Sequence, residues 1–312
     1  MKIVFMGTPD FSVPSLKILA EYHNVVAVFT QPDRPKGRGK RLSMSPVKEL
    51  AIEKNIPVYQ PEKLKNNNEA LEIIKGYQPD IIVVVAFGQI LPKEILELPK
   101  YGCVNLHASL LPKYRGAAPI NWSIINGEKE TGNTTMLMAE GLDTGDMLLK
   151  DAIKLDKNIN AGELHDILSS RGAELLMATL EGLEANKIVP MPQDDSLSTY
   201  ASMLSKDMAV IDWSKTAEET HDFIRGLNPW PIAYSYYENQ ILKIYESEVI
   251  SQKSIEKPGT IIDVSKNGIK VSCGEGVILI KRIQLPNSKP LYVKDYLNGN
   301  DIKIKTLLGK ER

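Results

Sequence analysis

The chain has 312 residues, of which 43% are hydrophobic and 25% are charged, and its formal net charge is -1. These values are typical of a globular protein with about two domains. They exclude a general electrostatic attraction to nucleic acid or membranes, so any contact with a polyanion needs a local basic patch.

The two cysteines lie far apart in sequence, which predicts free thiols in a reducing compartment. Cys and His residues do not cluster, so we expect no metal site. The first residues lead directly into an apolar run, without a signal peptide or a stretch long enough to span a bilayer. We therefore expect a cytoplasmic protein with no membrane partner. No apolar surplus calls for an obligate assembly, so we expect a monomer.

The first half of the chain alternates short apolar runs with helical patterns. The runs KIVFM, VVAVFT, DIIVVVA and CVNLH predict strands that are buried on both faces, as in a parallel sheet. Helices are expected near residues 13–22, 46–55, 67–77, 119–127 and 162–185, and further strands at TTMLMAE and near 147–155. This alternation predicts an α/β fold with a mostly parallel, doubly wound sheet.

The pattern changes after about residue 188. Residues 190–207 show no sustained period and predict a linker. A helix near 216–227 and short strands at AYSYYE, ILKIYESEV, GTIIDV, GIKVSC and GVILIKRIQL follow, which is typical of a small antiparallel β-barrel. We therefore expect one domain at 1–189, a linker at 190–207 and a smaller domain at 208–312.

A candidate active site begins where the strand CVNLH ends. Asn105 and His107 are alternate residues of this strand, so their side chains share a face. An amide can donate to an oxyanion, and an imidazole can donate or carry a proton near neutral pH. In open α/β sheets, ligands bind outside the carboxyl ends of the strands. On position alone, a strand-end histidine that only bonds the backbone is an equally good interpretation.

The motif GLDTGDM offers a carboxylate that could join this pair. Asp143 lies between Gly141 and Gly145, in a loop that must turn sharply. A carboxylate there could hold the imidazole of His107 in one tautomer, or accept a proton through water. Taken alone, an aspartate that bonds the backbone of its own turn is the simpler interpretation.

A basic segment, QPDRPKGRGKRLSMSP, spans residues 31–46. It concentrates five basic residues within eight positions, and we predict that these bind a polyanion: Arg34, Lys36, Arg38, Lys40 and Arg41. Two prolines and two glycines predict an irregular loop.

The first turn, GTPDFS, lacks a G-x-G-x-x-G fingerprint and contains Pro9, which argues against a bound dinucleotide.

Together these motifs resemble the folate-dependent formyltransferase family. The resemblance rests on NLHASLLPKYRGAAP and GLDTGDML, and it extends over the chain through FMGTPDF, FTQPDRPKGRGK, SPVK, VVVAFGQILP, ETGNTTMLM, IDW and NPWP. It implies a Rossmann-like catalytic domain followed by an OB-like barrel. This chain has Ala108 where the family usually has glycine.

The resemblance also implies residue roles. Members of the family transfer a formyl group from 10-formyltetrahydrofolate to an amine, without a metal, using a set that matches Asn105, His107 and Asp143. By similarity, the tetrahydrofolate site is lined by Ser109, Leu110, Leu111 and Pro112, and by the loop residues Phe87, Gly88, Gln89 and Ile90. The basic segment resembles the insertion with which some members approach the acceptor stem of methionyl initiator tRNA, with Arg38 at a key arginine, and the C-terminal barrel is expected to contact the same tRNA.

The expected chemistry is attack of an amine on the formyl carbon. Asn105 and His107 are expected to donate to the resulting oxyanion, while Asp143 orients His107 and helps the proton to the leaving nitrogen. An amino sugar nucleotide remains an alternative acceptor, although it does not need five basic residues. A dehydrogenase lacks its glycine fingerprint here, and a plain RNA-binding module leaves the Asn–His–Asp set unused.

Overall fold

The computed structural model describes residues 1–36 and 41–309, apart from the side chains of Lys36 and Arg41. Its strands, in chain order, are β1 (Lys2–Gly7), β2 (Asn24–Phe29), β3 (Arg34–Lys36), β4 (Arg41–Ser43), β5 (Val58–Tyr59), β6 (Ile81–Val85), β7 (Cys103–His107), β8 (Arg115–Gly116), β9 (Glu130–Leu137), β10 (Met147–Lys154), β11 (Tyr200–Ala201), β12 (Tyr234–Tyr237), β13 (Gln240–Ile250), β14 (Ile261–Ser265), β15 (Gly268–Ser272), β16 (Val277–Gln284) and β17 (Leu291–Tyr292). Its α-helices are α1 (Val13–Tyr22), α2 (Pro46–Glu53), α3 (Asn68–Tyr77), α4 (Lys93–Leu96), α5 (Pro119–Ile125), α6 (Ala161–Glu184), α7 (Ala217–Gly226) and α8 (Val293–Tyr296).

The chain forms two compact units. The first, which we call unit 1, comprises Met1–Gly116, Thr131–Ile153 and His165–Tyr200. The second, unit 2, comprises Ala117–Glu130, Lys154–Leu164 and the chain from Ala201 onward.

Unit 1 is built on a mostly parallel sheet, as the sequence predicts. Within the described residues its strand order is β10-β9-β7-β6-β1-β2-β5. The pairs β1–β2, β1–β6, β2–β5 and β6–β7 are parallel, and β7 pairs with β9 in the antiparallel sense. The chain extends the sheet from β1 towards β5 and then returns to add β6 and β7 on the other side. The junction of β1 and β6 is therefore the topological switch point, where such sheets place their ligands.

The helices of unit 1 start at the caps that their sequences supply. The side chain of Ser45 accepts from the backbone N–H of Lys48 at the start of α2, where Pro46 occupies the first helical position. Asn67 caps α3 in the same way. The predicted helices near 13–22, 46–55 and 67–77 are confirmed to within two residues.

Strand β9 begins earlier than its apolar residues indicate. The apolar residues predict a strand at TTMLMAE, whereas the strand in the structure runs from Glu130 to Leu137. The reason is that polar residues here are buried and hydrogen-bonded. Asn133 donates to the Leu168 carbonyl over 2.9 Å, and the hydroxyls of Thr135 and Thr179 lie 2.8 Å apart. Hydrophobic periodicity does not detect a strand whose inward side chains are polar.

Unit 2 contains the predicted antiparallel domain. Among the described residues its sheet has the order β12-β13-β16-β15-β14, with β17 paired to β16. The end strands of this path, β12 and β14, are not neighbours, so the sheet is a half-barrel. Its core includes Trp213, whose indole N–H donates to Ser235 over 2.9 Å.

The basic segment is more regular than expected. We predicted an irregular loop, but its ends form an antiparallel ribbon in which Arg34 pairs with Ser43 and Pro35 with Leu42. A two-stranded ribbon has two free edges, so a proline whose missing N–H faces outward does not disturb it. Arg38 and Lys40 lie outside the described residues.

Candidate functional site

A surface cavity of about 520 Å³ opens at the switch point of the unit 1 sheet. It is lined by residues that follow β1, β2 and β6, including Thr8, Gln31 and Phe87, and by residues 43–46. The Phe87 carbonyl accepts from the Thr8 hydroxyl at 3.2 Å and from the Gln31 amide at 3.1 Å. These contacts hold three strand-end loops together around the opening.

Strand β7, next to β6, brings the predicted asparagine to the same edge. Asn105 pairs in register with Val84 of β6 and Met136 of β9, and it is 9% exposed. Within the part of the chain that the structure describes, no residue forms a hydrogen bond with its side-chain amide. Its amide atoms are not among the fully buried polar atoms that lack a partner, so they keep some exposure and a polar group from outside the protein can reach them.

The predicted histidine lies two residues further along the same strand. His107 is 6% exposed, and its Nε2 donates to the backbone carbonyl of Tyr114 at 2.8 Å. The other ring nitrogen, Nδ1, lies 3.7 Å from Oδ2 of Asp143. A carbonyl only accepts, so the hydrogen of the neutral ring is on Nε2 and Nδ1 is the basic nitrogen. Nε2 bonds the backbone, as expected of a structural histidine at a strand end. Nδ1 faces a carboxylate, as expected of a histidine that carries a proton.

The loop between β9 and β10 presents the third predicted residue. Asp143 adopts a left-handed backbone conformation with φ of 52°, which costs about 1–3 kcal/mol for a residue with a Cβ. Its Oδ2 accepts the backbone N–H of Gly116 over 2.8 Å, so its partner is a residue far along the chain and not its own turn. Gly145 lets the loop approach β9 closely, because a Cβ there would lie 1.7 Å from the Leu137 carbonyl oxygen.

Residues 109–112, predicted to line the folate site, form a loop anchored from several sides. The Thr134 hydroxyl donates to the Ser109 carbonyl over 2.7 Å, and the ammonium of Lys150 donates to the Leu111 carbonyl over 2.6 Å. Partial desolvation lowers the pKa of Lys150. Ser109 and Leu111 have no exposed surface, whereas Leu110 and Pro112 are partly exposed. Leu110 and Pro112 are therefore the two residues of this loop whose side chains a ligand can contact.

The other predicted folate loop follows β6. The Gln89 side chain is occupied within the fold, because it accepts from the Leu64 N–H and donates to the Pro61 carbonyl. Gly88 has φ of 79°, a conformation that favours glycine, and Phe87 is buried. Ile90 is 75% exposed and offers an apolar surface.

The basic segment adjoins the cavity. Arg34 is exposed and belongs to the lining. Next to it, Lys48 and Gln60 donate to Asp33 over 2.6 and 2.8 Å, and these contacts lower the pKa of that carboxyl. The side chains of Lys36 and Arg41 lie outside the part of the chain that the structure describes.

Sequence reasoning did not identify Tyr114 and Gly116 as partners of the site. Both act through backbone atoms, which leave no signature in residue type.

Over residues 1–36 and 41–309, no group of three or more Cys, His, Asp or Glu residues is arranged to hold a metal ion. In the same ranges no helix has the length and apolar character needed to cross a membrane.

Residues 1–180 match the family model for formyl transferase, and residues 203–301 match that for the formyl transferase C-terminal domain. The chain is 60% identical over 308 residues to methionyl-tRNA formyltransferase from Clostridium novyi (strain NT), which covers 99% of this chain and 100% of that protein. It is 57% identical over 310 residues to methionyl-tRNA formyltransferase from Clostridioides difficile (strain 630), covering 99% and 100%.

A similar fold occurs among solved structures. An N-formyltransferase from Helicobacter canadensis, in complex with folinic acid and dTDP-3-aminofucose, aligns with a TM-score of 0.68. The alignment covers 90% of this chain and 98% of that chain, at 21% sequence identity. At this identity the likeness supports the fold alone.

Proposed function

This chain belongs to the formyl transferase family, and on that premise we propose that it transfers a formyl group from 10-formyltetrahydrofolate to the α-amino group of methionyl initiator tRNA. Full-length relatives at about 60% identity carry the name of this activity. The observation on which the proposal depends most is the side chain of Asn105, an amide at the carboxyl end of β7 that forms no hydrogen bond with any residue that the structure describes.

In this proposal Asn105 donates a hydrogen bond to the oxygen of the formyl group as the amine attacks. The negative charge on this oxygen grows towards the tetrahedral intermediate, so a donor that is already in place stabilises the transition state more than the ground state. One such donor is typically worth about 3–4 kcal/mol. Because the amide forms no hydrogen bond with a described residue, no such contact within the protein has to break before it donates.

His107 and Asp143 complete the proposed machinery by handling the proton. A bond forms between the amine nitrogen and the formyl carbon, the bond from that carbon to N10 of the folate breaks, and one proton moves from the amine to N10. Nδ1 of His107 can take up this proton, and Asp143 at 3.7 Å then stabilises the imidazolium. In that state Nδ1 is also a donor, which lets His107 assist Asn105 at the oxyanion.

The folate is proposed to bind along residues 109–112 and 87–90, close to these side chains. A pterin ring needs apolar surface on its faces and hydrogen bonds at its edge. The exposed Ile90 and the partly exposed Leu110 and Pro112 supply apolar surface. Leu142, next to Asp143 and 61% exposed, supplies more. The residues present therefore fit a bound folate.

We propose that the basic residues of the 31–46 segment bind the tRNA: Arg34, Lys36, Arg38, Lys40 and Arg41. Residues 1–189 would perform the chemistry, and residues 208–312 would bind the tRNA, with 190–207 between them. We further propose a cytoplasmic monomer, because initiator tRNA is charged and used in the cytoplasm and one chain contains every residue of the proposed site.

The direct test is consumption of 10-formyltetrahydrofolate, followed by absorbance, with candidate acceptors. Methionyl initiator tRNA should support turnover. An uncharged initiator tRNA is the matched control, since it has the same phosphates but no α-amino group. Turnover with dTDP-linked amino sugars and not with the charged tRNA would show that the acceptor is an amino sugar, while the formyl-transfer reaction itself would stand. No formyl transfer to any amine would reject the function.

A further inference from the structure

A side chain from a distant part of the chain holds the loop that carries Asp143. The amide of Gln193 donates to the carbonyl oxygens of Asp143 and Gly145, over 2.7 and 2.8 Å. Its two hydrogens are thereby used, one on each side of Thr144. Because Asp143 is in a left-handed conformation that disfavours residues with a Cβ, the loop depends on outside contacts to keep its shape.

Gln193 is in turn oriented by Arg115. Its Oε1 accepts from Nε and Nη2 of Arg115 over 3.0 and 2.9 Å, and Nη2 also donates to Asp195 over 2.7 Å. The planar guanidinium contacts one oxygen with two N–H groups, which sets the direction of the amide and therefore of its NH₂ group. Arg115 is 2% exposed, so this orientation is set inside the fold.

Arg115 also lies between two residues whose backbone contacts the proposed catalytic side chains. The carbonyl of Tyr114 accepts from His107, and the N–H of Gly116 donates to Asp143, both over 2.8 Å. Three consecutive residues thus contact the imidazole, orient the glutamine and bind the carboxylate. A shift of this stretch would change the His107–Asp143 distance.

The stretch is fastened to the same segment that supplies Gln193. Thr199 accepts the backbone N–H of Arg115 with its carbonyl, over 2.8 Å, and that of Tyr114 with its hydroxyl, over 2.9 Å. Residues 193–199 lie within the predicted linker, yet they belong to unit 1. This segment therefore contacts both the 114–116 stretch and the loop of Asp143, without contributing a reacting group.

We propose that Gln193 is a positioning residue for formyl transfer, which keeps Asp143 directed at His107, and that Arg115 orients Gln193 for this task. The inference rests on the proposed function, because it assumes that Asp143 takes part in the reaction. Without the two amide hydrogen bonds, the loop can relax from its left-handed conformation and carry the carboxylate away from Nδ1.

The first test is the variant Gln193→Ala, measured by steady-state kinetics with both substrates varied. Displacement of a catalytic group by about 1 Å costs about 100-fold in rate, so we expect kcat to fall about 10- to 100-fold. The KM values should stay within about two-fold, because Gln193 acts on Asp143 and not on a substrate. The matched control is Asp194→Ala, which removes two hydrogen bonds to Ser196 in the same segment and should leave kcat nearly unchanged.

A second variant, Gln193→Glu, separates the two halves of the contact. It keeps an acceptor for Arg115 but replaces the two donors with an oxygen that faces two carbonyl oxygens. We expect it to be at least as slow as Gln193→Ala, with a folded protein by circular dichroism. Recovery of wild-type kcat in Gln193→Glu would overturn the proposal, since only the contact to Arg115 would then matter.

The third measurement is a double-mutant cycle with Asp143→Asn. If Gln193 acts through the carboxylate, Gln193→Ala should lower kcat by less than about two-fold in the Asp143→Asn background. A full effect in that background would overturn the positioning role. The two proposals fail separately: normal turnover by Asp143→Asn alone rejects the catalytic assignment, whereas a slow Asp143→Asn with a normal Gln193→Ala rejects only this inference.

Discussion

His107 donates its Nε2 hydrogen to the backbone carbonyl of Tyr114 over 2.8 Å. This bond determines the tautomer of the neutral ring, because the carbonyl can only accept. The nitrogen that faces Asp143 is therefore the basic one. Attraction between the ring and the carboxylate arises once Nδ1 takes up a proton, which is the state that a base reaches after it deprotonates an amine. This relationship is the basis for assigning the proton transfer to His107.

Replacement of Asn105 tests the oxyanion contact. We expect Asn105→Ala to lower kcat about 100- to 1,000-fold, because a donor to the developing oxyanion is lost. Asn105→Asp keeps the size of the side chain but offers no N–H when ionised, so it should be equally slow. The measurement is single-turnover formyl transfer with bound substrates. Near-normal rates in both variants would contradict the assignment, while binding of charged tRNA should persist in either case.

Gly145 and Gly141 flank Asp143 and should differ in their tolerance of a side chain. An alanine Cβ at 145 would lie 1.7 Å from the Leu137 backbone oxygen, which cannot move without disturbing the end of β9. At 141 the nearest atom, at 2.4 Å, is the hydroxyl oxygen of Thr144, which can rotate away. We expect Gly145→Ala to lower kcat strongly and Gly141→Ala to lower it weakly, in the same assay. Equal effects would show that the close approach does not matter.

Neutralisation of the basic segment should affect tRNA and spare folate. Changing Arg34, Lys36, Arg38, Lys40 and Arg41 to glutamine removes up to five phosphate contacts. Affinity for charged tRNA should fall, and the slope of its logarithm against the logarithm of salt concentration should become shallower by about 0.7–0.9 per lost contact. Folate affinity, followed by fluorescence, should not change. Lys63→Gln with Lys65→Gln, two exposed lysines elsewhere in unit 1, is the control. An unchanged salt slope would reject this tRNA-binding surface.

His221 should make unit 2 less stable in mild acid. Burial is the main cause that lowers the pKa of His221 below its ordinary value of 6.5, and its nitrogens contact Ser247 and the Lys157 carbonyl at 3.0 Å. The hydrogen bond to the Lys157 carbonyl is the largest effect that raises this pKa, the positive charge of Arg225 lowers it, and Asp222 and Glu248 raise it by smaller amounts. The folded state therefore binds this proton less readily than the unfolded state. Stability is fully present above pH 6.5 and declines as the pH falls from there towards the folded-state pKa.

The measurement is urea unfolding followed by tryptophan fluorescence between pH 8 and pH 5. All three tryptophans, Trp122, Trp213 and Trp230, lie in unit 2, so the signal reports this unit. The variant His221→Gln should lose less free energy of unfolding than the wild type across this interval. An identical pH dependence in the two proteins would contradict the role of His221.

Many strands and helices of unit 1 can be predicted from the spacing of apolar residues in the sequence. The strand CVNLH and the helix at 13–22 have the bounds that the sequence predicts, because a short apolar run indicates a strand that is buried on both faces and a helical period indicates one buried face of a helix. Strand β9 and the ribbon β3–β4 are the exceptions. The first buries hydrogen-bonded polar residues, and the second tolerates a proline at a free edge, so neither follows the usual composition of a strand.

The sequence by itself determined the two-domain α/β architecture, the family, and the candidacy of Asn105, His107 and Asp143. It did so because apolar spacing reports burial and because the motifs are long enough to be specific. Only the tertiary structure decided which nitrogen of His107 is free, and that Asp143 binds the N–H of Gly116 while Gln193 holds its loop. These contacts join residues tens of positions apart, partly through backbone atoms that every residue shares, and so residue type carries no record of them.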